Sequence, residues 1–333
     1  MNPFIQEAFG IFPMQSFKLR HYDAYYDGQN LFILIKVYEN EQQELLERYE
    51  MINYLTENGE RFIPVFHSAQ DGNFVKQNEN DFYVLLKLEQ WRQKTYQFPG
   101  RRLAIFHQRG ANFQTEKNIL TRVGKWKELW EKRIGHLESF WQQVVMNRPI
   151  NEFERFFVES FPYYSGLTEN AIQYYVDTVI DEQPQENDLG TICHERFTGE
   201  TWDGSFVFKN PFDWVVDHHS RDLAEWIRHS YLSNSHMYSK PIQKFLHEYQ
   251  TQSPLSPFAW RLLFSRLVLP IHYFQCIETY HSRLANPLDI QLLRNIKDIV
   301  DQTDEFEKFL SRFYEMANVP VQLFRIPQLD WLK

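Results

Sequence analysis

The chain reads as an α+β protein built in two parts, and three observations predict this. Over the first ninety residues the apolar pattern runs strand, strand, helix, strand, strand. Residues 88–99 are then polar and carry no strong period. Beyond them, apolar residues recur at helical spacing almost to the C-terminus. The predicted organisation is a sheet with one helix at 1–90, a linker at 91–99 and a larger helical part at 100–333.

Each element has a local reason. Residues 17–37 read as strands joined by turns. Asp27-Gly28-Gln29-Asn30 is a turn signal, and Leu31 to Ile35 is an apolar, β-branched strand. Glu39 to Leu55 predicts a helix with Leu45, Leu46, Tyr49, Ile52 and Leu55 on one face, ended by Asn58-Gly59. Ile63 to Phe66 is a short extended piece, Asp71-Gly72-Asn73 predicts a hairpin turn, and Phe82 to Leu86 is another strand. Helices follow over 100–110, 124–145 and 168–180, the last opened by Leu167-Thr168-Glu169 as its cap. A loop at 183–190 leads into a short β-like region. Helices then run to about Met316, and an extended tail starts at Pro320. Trp126, Trp130 and Trp141 fall at helical spacings and predict core packing rather than a ligand box.

Composition narrows the function. At 333 residues the chain can build two cores, and 17% aromatic with 24% charged residues is a globular balance. A net charge of -9 opposes broad electrostatic binding to nucleic acid, so no nucleic-acid partner is expected. Cys193 and Cys276 alone cannot build a disulfide framework or a four-thiolate zinc site, and read as buried free thiols. Met1-Asn2-Pro3-Phe4 lacks a secretory signal pattern, and no apolar run reaches the ~20 residues of a membrane span. A soluble product of the cytoplasm is the expectation.

The order of several blocks then carries a resemblance. Phe62-Ile63-Pro64-Val65 and Asp71-Gly72 follow the first helix. Pro99 to His107 reads G-x-x-L-A-x-x-H from Gly100. Gly124-Lys125-Trp126-Lys127 and Tyr164 to Ile172 come next. Then come Ile192-Cys193-His194-Glu195-Arg196-Phe197 and Arg221-Asp222-Leu223-Ala224. In this order the blocks resemble the bilobal protein-kinase-like fold, in its aminoglycoside phosphotransferase and homoserine kinase branch. Within that branch the chain resembles the CotS family of endospore coat-associated proteins. The resemblance implies synthesis in the mother-cell cytoplasm, association with the endospore coat, and coat proteins as partners.

The departures from that pattern decide the chemistry. The branch's catalytic loop reads H-G-D-x-H-x-x-N, and the matching run starts at His194. The resemblance puts the catalytic Asp on Arg196 and the metal-binding Asn on Thr201. A guanidinium stays cationic, cannot take a proton and repels magnesium. The magnesium-binding Asp of the next strand falls on Asn210 when counted back from Asp217 and Asp222. A second register places Phe212-Asp213-Trp214 there. Lys36 matches the lysine that meets nucleotide phosphates, with Glu44 or Glu50 as its helix partner. No Gly-rich loop precedes Leu31, where Gly28 stands alone.

The expected function is therefore a non-catalytic kinase-fold protein with no cofactor and no metal. Arg196 is expected to pair with Glu195, Asp213 or Asp217. An active ATP- and magnesium-dependent phosphotransferase would instead need an acidic site drawn from Glu195, Asp213, Asp217 and Asp222. A third possibility is a nucleotide-binding module without turnover. Asp213, Asp217, His218, His219 and Asp222 also suggest a metal cluster, but His218 and His219 should point apart on a helix or strand. Asp222 instead reads as a buried helix-opening carboxylate, and His107 as a hydrogen-bonded core histidine.

Overall fold

The structure, a computed structural model, describes residues 3–89, 98–202, 208–282 and 290–332. Residues 91–97 of the expected linker lie outside the described residues. Contacts gather the chain into two compact units. One holds Met1–Thr121, Leu189–Asp222 and His247–Ser253. The other holds Arg122–Asp188, Leu223–Leu246 and Pro254–Lys333.

The first unit opens with helix α1 (Pro3–Phe9), then strands β1 (Gln15–Leu19), β2 (Tyr22–Tyr26) and β3 (Leu31–Val37). Helix α2 (Leu45–Glu57) follows, then β4 (Val65–His67), β5 (Val75–Asn78) and β6 (Asp81–Leu88). The sheet is antiparallel in the order β1-β2-β3-β6-β4, with β5 also paired to β6. Alternation along β3 sends side chains to two cores. Leu31, Ile33, Ile35 and Val37 pack with Ala24, Val84, Leu86 and Leu88. Phe32 and Leu34 pack with Tyr25, Leu85 and the α1 residues Ile5 and Phe9. Both faces of β3 are covered, which explains its nearly continuous apolar sequence.

Two local expectations change here. Residues 39–44 form a 3₁₀ turn, so the α-helix proper begins at Leu45. Asp71-Gly72-Asn73 is a turn, with Asp71 accepting from the Asn73 N–H, but it does not close a hairpin. That closure falls at Glu79-Asn80, where Asn78 faces Asp81 and Glu79 has φ of 56°. Asx-turn chemistry is the same in a plain loop as in a hairpin. Only the pairing of β4 and β5 to β6 separates the two.

Helix α3 (Pro99–Gly110) packs on the strand pair β7 (Thr191–His194) and β8 (Trp214–Asp217). Gly110 permits the approach: a Cβ there would lie 2.9 Å from Ile192 Cβ. The Thr191 hydroxyl donates to the His107 carbonyl at 2.6 Å and fastens β7 to the helix.

The second unit is helical. It contains α4 (Trp126–Asn147) and α5 (Glu152–Asp181), then most of α6 (Ser220–Ser233) and α7 (Ser239–Gln250). It continues with α8 (Pro257–Val268), α9 (Ile271–Ser282), α10 (Ile290–Asp301) and α11 (Thr303–Met316). The helix expected from Thr168 is the second half of α5, a 30-residue helix that contains Pro162. Asn151 caps it, accepting from the Glu154 N–H. The Thr168 hydroxyl instead donates to the Tyr164 carbonyl one turn back, a bond that gives a threonine a place mid-helix. Trp126 and Trp130 are buried and stacked at 5.4 Å. The tail from Pro320 is not extended: residues 321–325 turn, and Ile326 is buried.

Candidate functional site

The first unit brings the His194 run and the Arg221-Asp222 run together. Strand β7 ends on His194, opposite Trp214 of β8, and the first turn of α6 supplies Arg221 and Asp222. Asp222 is fully buried and accepts four contacts. The His194 N–H reaches both its oxygens at 3.0 and 3.2 Å, His194 Nδ1 lies at 2.7 Å and His107 Nε2 at 3.1 Å. Burial by itself would raise this carboxyl. The charge of His194 and the bonds from both histidines hold it well below the usual carboxylate range. His107 meets Tyr249 Oη at 2.8 Å through its other nitrogen, and burial pushes its pKa down. It is the hydrogen-bonded core histidine expected from the sequence. Ligand atoms of His107, Cys193 and Asp222 fall within 4.8 Å of one another, a spacing that a cation would accept. The Asp222 oxygens are already engaged by the histidines, so in this state the group is a hydrogen-bonded brace.

Arg221 settles the fate of two other carboxylates. Its guanidinium pairs with Glu195 at 2.5 Å and Asp217 at 2.9 Å, and its Nε donates to the His194 carbonyl at 2.9 Å. The expectation that Arg196 takes one of these carboxylates is wrong. Arg196 is exposed and makes no ion pair among the described residues. Arg221 stands on a helix four residues from Asp217, already aimed, whereas ordering an arginine on an open loop costs rotamer entropy. Asp213 touches the loop through its backbone, its carbonyl accepting from the Glu195 N–H at 2.5 Å, and burial raises its carboxyl pKa.

The remaining sequence candidates have local duties. Thr201 Oγ1 accepts from the Thr198 N–H at 2.8 Å. Asn210 caps the turn Pro211–Asp213, accepting from the Phe212 N–H, and its Nδ2 donates to Tyr22 Oη at 3.0 Å. Lys36 and Glu50 do not meet. Lys36 lies on the Phe32–Leu34 face of β3, is exposed and pairs with Asp81 at 2.8 Å. Glu50 accepts from the Thr115 hydroxyl at 2.7 Å, and Glu44 pairs with Arg48. The opposite face of β3 looks toward residues 208–212, and its row is Leu31, Ile33, Ile35 and Val37. Phe208, only 3% exposed, is buried in that cluster, with Tyr22 and Phe212 against it. His218 and His219 also depart from expectation: their ring centroids lie 4.1 Å apart. They occupy the irregular step between β8 and α6, where neither strand nor helix alternation applies.

Residues 2–313 match the sequence profile of a family described as "Spore coat putative kinase YutH". The chain belongs to this family. It is 38% identical over 330 residues to the endospore coat-associated protein YutH of Bacillus subtilis strain 168, a match covering 98% of this chain and 97% of the relative. Among solved structures it is similar to an aminoglycoside phosphotransferase from Alicyclobacillus acidocaldarius. That match has a TM-score of 0.65 at 12% identity, over 92% of this chain and 93% of the other. It is also similar to a spectinomycin phosphotransferase in complex with ADP and spectinomycin, at TM-score 0.60 and 13% identity, over 95% and 96%. At these identities the likeness is one of fold. The family member described here has the aminoglycoside phosphotransferase-like, protein-kinase-like fold that the order of its blocks predicts.

Sequence reasoning missed a second buried cluster in this member of the YutH family. The Lys209 side chain is completely buried; it bonds Glu60 and donates to the Arg61 carbonyl at 2.9 Å. Arg109 pairs with Glu60 at 2.9 Å. Burial pushes Lys209 down to about 7 against the pull of Glu60. The Trp202 and Phe106 rings lie 5.5 and 5.8 Å from its ammonium. Glu47, also buried, accepts from the N–H groups of Ile119 and Leu120, and Arg48 donates to the Pro211 carbonyl at 2.6 Å. Glu and Lys in polar stretches read as solvated. The one usable signal was Lys209 between Phe208 and Asn210-Pro211-Phe212, a charge set inside an apolar run.

Proposed function

We propose that this member of the YutH family is a kinase-fold protein without phosphotransferase activity. It works in the endospore coat by binding coat proteins. The coat role rests on the family and on the name of the Bacillus subtilis relative. The loss of chemistry rests on one observation above the rest. A kinase needs a lysine on the third strand aimed at the phosphates, under a Gly-rich cover. Here the row of β3 that looks toward the loop segment is aliphatic throughout, and Phe208 is packed against it. Arg20, in the turn between β1 and β2, donates to the Thr201 carbonyl at 2.9 Å and ties the would-be phosphate cover to the loop. Arg196 at the base position adds a cation where magnesium would have to sit.

A second reading has one observation in its favour. Asp213 contacts the loop through Glu195, so the Phe212-Asp213-Trp214 register would keep a carboxylate for one metal ion. Calorimetric titration with ATP, with and without magnesium, together with a γ-phosphate transfer assay, separates the readings. The expected result is no binding and no transfer. Magnesium-dependent transfer that disappears in Asp213→Asn would overturn the proposal in favour of the second reading. Tight metal-free binding would mark a nucleotide-binding module. A fluorescent fusion in sporulating cells should gather on the forespore coat, and diffuse mother-cell fluorescence would count against the coat role.

A further inference from the structure

Helix α5 carries a proline well inside its length, where a helix accommodates one least. Pro162 has no N–H to give the Val158 carbonyl four residues back, and its ring crowds that carbonyl. Proline inside a long helix is a common point of bending, and a carbonyl left without its donor costs free energy.

The missing donor comes from another helix. Trp141 of α4 gives its indole Nε1–H to the Val158 carbonyl at 3.1 Å. Its ring stacks on Phe161 at 5.7 Å, which fixes the indole beside the proline turn. The core packing read from the sequence accounts for this ring. It does not account for the N–H, which can only donate.

The two halves of α5 hold different neighbours, all within the second unit. Before Pro162, Phe153 stacks on Tyr280 of α9 at 4.1 Å, and the Ser160 and Tyr273 hydroxyls meet at 2.9 Å. Beyond it, Tyr174 packs on Phe264 of α8 at 5.3 Å and donates to the Pro327 carbonyl of the tail at 2.9 Å. A bend at Pro162 would therefore move α8 and the tail relative to the first half of α5 and its partners on α9.

We propose that Pro162 is a hinge in α5 and that Trp141 is the pin that holds it, by supplying the hydrogen bond the proline cannot make. The bend of α5 is then set by α4 and not by the backbone ladder of α5 alone. The inference stands apart from the coat proposal and survives its failure.

The test is a double-mutant cycle on the full chain, read by hydrogen exchange and mass spectrometry of peptides covering residues 157–168. Trp141→Phe keeps an aromatic ring and removes the donor. It should speed exchange in that stretch about 3–10-fold. Pro162→Ala restores an N–H for the Val158 carbonyl and should slow exchange there. In the Pro162→Ala background, adding Trp141→Phe should change exchange by less than about twofold. Equal acceleration in both backgrounds would reduce Trp141 to ring packing and overturn the proposal. So would unchanged exchange in Trp141→Phe. Acceleration spread over the whole chain, with no excess around Pro162, would mark a general loss of stability and would also count against a hinge.

Discussion

Two neighbouring parts of the first unit have been treated in opposite ways. Around Asp222 the contacts are buried and specific: two histidines and a backbone N–H, with Arg221, one residue away, holding buried Asp217 and the more exposed Glu195. In the loop that follows, from Arg196 to Thr201, Arg196 is exposed, and the Thr198 and Thr201 side chains serve the loop's own turn. The difference teaches which side chains of this first unit its stability rests on and which it does not. A buried carboxylate with four contacts is part of the fold's stability, and removing it strands its partners. An exposed loop side chain such as Arg196 packs against little, so a change of charge there costs the fold almost nothing.

The comparison can be broken most forcefully at Asp222. Asp222→Ala should cost about 3–5 kcal/mol, read by urea unfolding, because it strands two buried histidines and a backbone N–H. A loss below about 1 kcal/mol would mean that the brace holds nothing. The next effect is at the missed cluster. Glu60→Gln should cost about 2–4 kcal/mol by leaving Lys209 buried without its counter-charge. Adding Lys209→Met should recover most of that loss, since an apolar side chain needs no partner. A double variant as unstable as the single one would show that the pair is not the source.

Acid should weaken the brace by a smaller amount. Burial keeps the His107 pKa below its ordinary 6.5, so the unfolded chain takes up a proton that the folded chain refuses. That contribution is complete above pH 6.5 and is lost as pH falls through and below it. Asp222, held below its ordinary 3.8, adds a second loss as pH falls below 3.8. Unfolding free energy should therefore fall as pH drops from 7 to 5 through His107. In His107→Gln the slope over that range should flatten, and an unchanged slope would assign it to other groups.

The smallest effect sharpens the contrast from the other side. Arg196→Ala should change stability by no more than about 0.5 kcal/mol in the same urea assay. Arg196→Asp should likewise leave the fold intact and yield no phosphoryl transfer, because one carboxylate lacks the metal ligands and the lysine it would work with. A loss of several kcal/mol in either variant would reveal a partner for Arg196 and dissolve the distinction between loop and brace.

Much of this protein was legible in its sequence. The alternating and helical periods placed β3, β6, α3 and the helical remainder, because those patterns report which side of an element is dry. That Arg196 cannot serve as a base was also plain, since it needs no structure to say that a guanidinium is not one. The partners of charged side chains were not legible. Arg221 rather than Arg196 holds Glu195 and Asp217, Lys36 turns to Asp81 instead of the loop, and Lys209 is buried against Glu60. Sequence by itself determined the elements, their order and the chemistry each residue can perform, because these depend on local covalent and steric properties. Only the tertiary structure decided which charges meet and which face of β3 Lys36 occupies. Those outcomes depend on strand register and on burial shared between residues far apart in the chain.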